Sequence, residues 1–223
     1  MKVLALEFSC PQRSVAVVHQ WPSAKWGARS EIIETGTVET KSIAMVDAAL
    51  HQAGLEREQI DIIAVGLGPG SYHGIRLAIA MAQGWQLAAA DHQTKLVGIS
   101  SADCIAAEAA REGIEGPVAV IIDAQRGEFY MGTYELGPND WRELRPLALV
   151  SLEQVQQCKG AGQRLIGPEV TKWFPGEGRI VFPRAAMLGQ LALGKDNFAA
   201  GEKLEPIYLR ATQFVKAPPP RIL

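Results

Sequence analysis

The densest group of chemically suggestive residues is Gly66-Leu67-Gly68-Pro69-Gly70-Ser71, a tight turn between an apolar run and a helical pattern. Backbone N–H groups at such a helix N-terminus can hold a phosphate. The turn lacks the Gly-Lys-Ser/Thr ending of a P-loop and the spacing of a dinucleotide fingerprint. Taken alone it is a sharp strand-to-helix connection, in which Gly70 and Gly74 serve the backbone rather than a ligand. Two acids, Glu7 and Asp123, close two apolar runs of similar character. Paired carboxylates of this kind can act as a general base or organise a metal–nucleotide. However, Glu7 is followed by Phe8-Ser9-Cys10, with no glycine to bring a phosphate close to the backbone. A hydrogen-bonded structural role is the simpler expectation. Glu7, Gly68, Gly70, Ser71 and Asp123 together are the candidates for a degenerate nucleotide cleft.

Other chemistry has less support. The histidines (His19, His51, His73, His92) form neither HxxxH nor HExxH, so no metal site is expected. No GxSxG elbow is present, and Ser71 has no base beside it in sequence. Cys10, Cys104 and Cys158 are far apart and odd in number, which argues against a disulfide framework or zinc site and for a reducing cytoplasm. No catalytic residue, metal or cofactor is expected. Tyr72 and His73 follow the glycine turn, where they either meet a ligand or partner or pack over the first helical turn.

The elements that must position these residues alternate between strand and helix. Apolar runs at Val3–Leu6, Ser14–Val18, Ile60–Val65 and Leu96–Ile99 read as strands, with Glu31–Thr40 as a β-branched strand after a long loop at Trp21–Ser30. Ile43–Ala53, ending at Gly54, reads as a helix, as do a long segment from Ser71 to about Ala90 and Ser101–Glu112. Pro117–Asp123 and Glu128–Glu135 then repeat the opening strand–turn–strand unit of Lys2–Val18. Duplication of such a hairpin, followed by helices and parallel strands, predicts an α/β chain of actin-like, RNase H-type (ASKHA) fold. Its expected halves are residues 1–100, joined by 205–223, and residues 101–204. Beyond residue 140, Pro146, Pro168, Pro175 and Pro183 suggest short, irregular pieces, and Ala217-Pro218-Pro219-Pro220 an extended tail.

With 48% apolar and 21% charged residues and a net charge of −2, the composition is that of a soluble globular protein and not of a strongly basic nucleic-acid binder. Residues 1–140 hold 10 basic and 17 acidic residues, and residues 141–223 hold 12 and 7. That asymmetry can steer partners without naming one. No run reaches the ~20 clean apolar residues of a membrane span, and Glu7 interrupts the opening run too early for a secretory signal.

The two N-terminal helices carry more apolar surface than one sheet can cover. Ile43, Val46 and Leu50 form a stripe on the first. The second has Ile75, Ile79 and Ala82 on one side and Leu77, Met81, Trp85 and Ala88 on another. A helix apolar nearly all round must bury its outer face too. A subunit interface built from Ile43, Val46, Leu50, Ile75, Ile79, Met81, Ala82 and Trp85 is therefore expected.

The segment Ile62-Ile63-Ala64-Val65-Gly66-Leu67-Gly68-Pro69-Gly70-Ser71-Tyr72-His73-Gly74-Ile75-Arg76 resembles the AVGxGPGSFTGxR motif of the TsaB (YeaZ) family. Support comes from Ala82-Gln83-Gly84, Val97-Gly98-Ile99-Ser100-Ser101, Asp123-Ala124-Gln125-Arg126-Gly127-Glu128-Phe129-Tyr130 and Pro206-Ile207-Tyr208-Leu209-Arg210. The chain departs from the family at Glu7-Phe8, where Asp-Thr is usual, at Tyr72-His73, where Phe-Thr is usual, and at Lys41–Val46. The resemblance implies a non-catalytic partner in threonylcarbamoyladenosine biosynthesis on tRNA. It implies pairing through the two helices with a TsaD-like paralogue, a TsaE-like ATPase at the interface, a homodimer in isolation, tRNA contact through the complex and no membrane. The competing readings are an actin-like ATPase or kinase and a metalloprotease-like hydrolase.

Overall fold

Two five-stranded sheets with the same strand order form the frame of the molecule, which the computed structural model describes for residues 1–20, 26–36, 40–88, 94–138, 140–199 and 203–210. In the first half, β1 (Lys2–Glu7), β2 (Gln12–Gln20) and β3 (Trp26–Thr35) form an antiparallel meander. Helix α1 (Ser42–Ala53) leads to β4 (Ile62–Gly66), and α2 (Tyr72–Ala88) to β5 (Lys95–Ile99), both parallel to β1. The sheet order is β3-β2-β1-β4-β5. Helix α3 (Ser101–Arg111) crosses to the second half.

There, β6 (Gly116–Asp123), β7 (Glu128–Gly137) and β8 (Asp140–Ser151) repeat the meander. Next come α4 (Leu152–Gly160), β9 (Arg164–Gly167), α5 (Val170–Trp173), β10 (Gly178–Ile180) and α6 (Ala185–Leu193). This sheet runs β8-β7-β6-β9-β10, the first sheet's order with each strand replaced by its counterpart. Duplicated mixed sheets flanked by helices are the expected actin-like fold.

The layers follow from which residues are apolar. β1 and β4 are apolar on both faces because both faces are covered. Leu4, Leu6, Ile63 and Val65 meet α1 and α2 through Met45, Val46, Ala49, Ile75, Ile79 and Ala82. Val3, Ala5, Ile62 and Ala64 face Cys104 and Ala107 of α3 and Leu188 and Ala192 of α6. On its other side α3 presents Ala102, Ile105, Ala106 and Ala109 to Val118, Val120, Ile122 and Tyr134 of the second sheet. An alanine-rich helix is thin enough to lie between two sheets and bury both sides. Helices α4 and α5 close the far face, where Val155 and Val170 meet Ile121 and Phe129.

Several expectations need correction. β3 begins at Trp26, within the stretch expected to be a loop, and ends at Thr35 rather than Thr40. The second half is more regular than its prolines suggested. β8 is a 12-residue strand that holds Pro146, because it is the sheet edge and its pairing shifts register beside that residue. Helix α6 and Leu204, expected in the second half, pack with the first: α6 lies against β1 and β2, and Leu204 enters the α1–α2 core. Residues 89–90 at the expected end of α2, His92 and the 217–220 tail lie outside the described residues.

Candidate functional site

The β1–β2 turn and the glycine loop before α2 form one crowded corner. Glu7 ends β1 fully buried. Its Oε1 accepts a hydrogen bond from the Ser9 amide at 2.8 Å, and its Oε2 accepts one from the Ser101 hydroxyl at 2.8 Å. Burial pushes the Glu7 carboxyl above the usual carboxylate range, and the bonds from Ser9 and Ser101 offset part of that rise. Ser101 Oγ also accepts from the Gly68 amide, and Gly68 O accepts from the Ser101 amide at 2.9 Å. The peptide between Gly68 and Pro69 is cis.

Gly70 and Gly74 are glycine because of close approach. A Cβ on Gly70, whose φ is +150°, would overlap the Ser9 carbonyl oxygen, and one on Gly74 the Phe8 carbonyl oxygen. The Ser71 amide donates to Ser9 O at 2.7 Å, and Ser71 Oγ caps α2 by accepting from the Gly74 amide at 3.3 Å. The start of α2 is thus pressed onto the turn that would have to open around a phosphate. Glu7, Gly68, Gly70 and Ser71 are brought together here, but Asp123 belongs to another cluster. Its carboxylate accepts from the Gln125 amide at 2.7 Å and lies 3.6 Å from Lys172 Nζ.

Three motif segments that are distant in sequence converge beside this corner. The Ile207 amide donates to Leu67 O at 2.9 Å. Tyr208 lies against Tyr72, with ring centroids 6.0 Å apart, and Arg76 covers the Tyr72 ring and donates to its hydroxyl at 2.6 Å. Arg210 donates to Ala124 O at 2.9 Å and pairs with Glu128 at 2.8 Å. Tyr72 and Tyr208 are 51% and 56% exposed. Gln125 and Arg126 sit at φ of 63° and 59°, a conformation disfavoured for non-glycine residues. Among the described residues, no three His, Cys, Asp or Glu side chains come together as a metal-ligand set.

The expected interface residues divide sharply. Val46, Leu50, Ile75, Ile79 and Ala82 are buried in the chain's own core, and Met81 and Trp85 pack against its margin. The helices turn these residues inward because they face Leu4, Leu6, Ile63 and Val65. Ile43, expected on their stripe, instead points away and is 66% exposed. The outward faces carry Ile43 and Ala44 on α1 and Leu77, Ala80, Gly84 and Leu87 on α2. Leu87 is 85% exposed, and among the described residues nothing lies within 4 Å of where a Gly84 Cβ would stand. A mid-helix glycine such as Gly84 costs about 1 kcal/mol relative to alanine, and it marks the outward side of α2 that the apolar stripes did not distinguish.

The family described as "TsaD: tRNA N6-adenosine threonylcarbamoyltransferase" matches residues 39–218. The Escherichia coli (strain K12) protein named tRNA threonylcarbamoyladenosine biosynthesis protein TsaB is 29% identical, over 94% of this chain and 95% of its own. The Haemophilus influenzae protein of the same name is 29% identical, over 94% of each chain. The solved structure of YeaZ from Pseudomonas aeruginosa superposes with a TM-score of 0.76 at 27% identity, covering 93% of this chain and 99% of that one. A family match across most of the chain, relatives alike from end to end and a shared duplicated fold all lead to one placement: the chain belongs to the TsaD family, in its TsaB (YeaZ) group.

Proposed function

We propose that this chain is the non-catalytic partner subunit in the biosynthesis of threonylcarbamoyladenosine on tRNA and that it pairs with a TsaD-like catalytic subunit. The observation that carries the pairing is the outward face of α1 and α2. Beside the exposed Asp47 and Arg76 it carries the apolar or small Ile43, Ala44, Leu77, Ala80 and Leu87, and Gly84 is exposed there with no neighbour among the described residues that requires a glycine. Glycine and alanine on the face of a helix let a second helix approach closely. Ile43, Leu77 and Leu87 would each contribute ~1.5–3 kcal/mol if fully buried, before association costs. A partner of the same family would offer a related helix pair, and two such pairs make a four-helix contact.

In the absence of the paralogue, the same face supports a homodimer. A TsaE-like ATPase at the interface, tRNA contact through the complex and a cytoplasmic location complete the reading. Nothing observed favours the ATPase, kinase or metalloprotease alternatives.

Native co-purification tests the proposal: a TsaD-like protein is expected to be recovered with this chain. An Ala80→Glu variant should stay folded and lose that partner. Ala80 is a cleaner site than Met81, which packs against the core. Retention of the partner by folded variants carrying charges at Ile43, Ala80 and Leu87 would overturn the interface. ATP or peptide hydrolysis by the isolated chain would overturn the non-catalytic role.

A further inference from the structure

We infer that residues 207–210 are an intramolecular latch, closing the two halves on each other in the way a bound ligand would otherwise do. The loop after β4 belongs to the first half and the hairpin turn after β6 to the second. Here the chain itself bridges them. Leu204 anchors the segment in the α1–α2 core. The Ile207 amide then bonds Leu67 O in the first loop. Three residues on, Arg210 donates to Ala124 O in the second and pairs with Glu128 just beyond that turn.

Two further observations point the same way. The polar capacity of Glu7 is taken up by Ser9 and Ser101. The start of α2 is pressed onto the β1–β2 turn, with no room for a Cβ at Gly70 or Gly74. The strand ends of the first half are therefore filled by protein groups, and the latch spans to the second half. Tyr208 ties the latch to Tyr72 and Arg76 at the head of α2. Tyr208 thus meets that helix end while Arg210 meets the β6–β7 turn, and neither enters the outward face proposed for the partner.

Hydrogen exchange on the full, isolated chain tests the latch, so a failure of the partner assignment cannot be mistaken for a failure here. Arg210→Ala should raise exchange at least 10-fold both in Leu67–Arg76 and in Asp123–Glu128, while α3 stays protected. Arg210→Lys, which can pair with Glu128 but has no guanidinium fork to share between it and Ala124 O, should fall in between. If Arg210→Ala does not fold, Glu128→Gln carries the same test, because it breaks only a half-exposed pair. Millimolar Mg-ATP should add no protection to either segment of the unaltered chain. Unchanged exchange in Leu67–Arg76 in a folded variant, or clear protection of both segments by Mg-ATP, would overturn the latch.

Discussion

The two halves are built on one plan and finished differently. β1 and β6 each end in a carboxylate that accepts a hydrogen bond from the amide two residues later, Ser9 for Glu7 and Gln125 for Asp123. β4 and β9 each run into a Gly-Pro turn, and each turn has a glycine against a carbonyl of the hairpin that opens the same half. Gly70 stands against Ser9 O, and Gly167 against Ile121 O. After those turns the halves part. The first continues into the 17-residue α2, the second into the four-residue α5. The second oxygen of Glu7 is buried against Ser101, whereas Asp123 reaches a largely exposed lysine. Duplication thus preserved the sheet and its turns, where backbone pairing and close approach allow little change. The covering helices differ, because their outer faces are exposed and constrain sequence and length less.

The largest effect that would test this comparison is at the shared glycine approach. Gly70→Val should destabilise the fold by roughly 3 kcal/mol or more, since the added side chain meets the Ser9 backbone rather than a movable side chain. Urea unfolding measures it, and a loss under 1 kcal/mol would show that the corner is looser than its geometry.

Glu7→Gln probes the difference between the two acids. Burial raises the folded-state pKa of Glu7, so the native state holds this proton more tightly than the unfolded chain does. The stability gained is fully present below the unfolded value of about 4.3 and is lost as pH rises through the folded value. The glutamine variant should therefore gain on the unaltered chain as pH climbs from about 4 toward neutrality. Paired unfolding curves at pH 4 and pH 7 check this, and a difference that stays constant or shrinks would reverse the assignment.

Gly84→Ala separates the roles of the covering layer. The monomer should gain about 1 kcal/mol from helix propensity, because the site is open. Association should weaken, because the close approach is lost. Thermal unfolding and light scattering on the same sample read both, and unimpaired association would remove Gly84 from the contact.

Asp123→Asn should have the smallest effect, about 0.5 kcal/mol or less, since Lys172 is 62% exposed and screened by solvent. A loss comparable to that of a core change would mean that the two acids are more alike than their surroundings suggest.

Much of this molecule was legible before any coordinates. The apolar runs that became β1, β4 and β6, the repeated hairpin and the cap at Ser71 depend on local periodicity and turn chemistry. β8 was not legible, because Pro146 argues against a strand unless one knows that it sits on a sheet edge. Neither was the direction of the interface helices. Ile43 and Val46 are equally apolar, and only the placement of Leu4, Leu6, Ile63 and Val65 decides that Val46 turns inward and Ile43 outward. The site divides in the same way. The glycines announced a tight turn, and Glu7 announced an acid at a strand end. That Ser101 would satisfy Glu7, and that Arg210 would reach Ala124 and Glu128, are contacts across 94 and up to 86 residues of sequence. The chain's own sequence determined its strands, its duplication and its family likeness, because these arise from neighbours along the chain. Which apolar residues are core, which are surface, and what closes the space between the halves was decided by tertiary packing, because burial belongs to the assembled layers and not to the residue type.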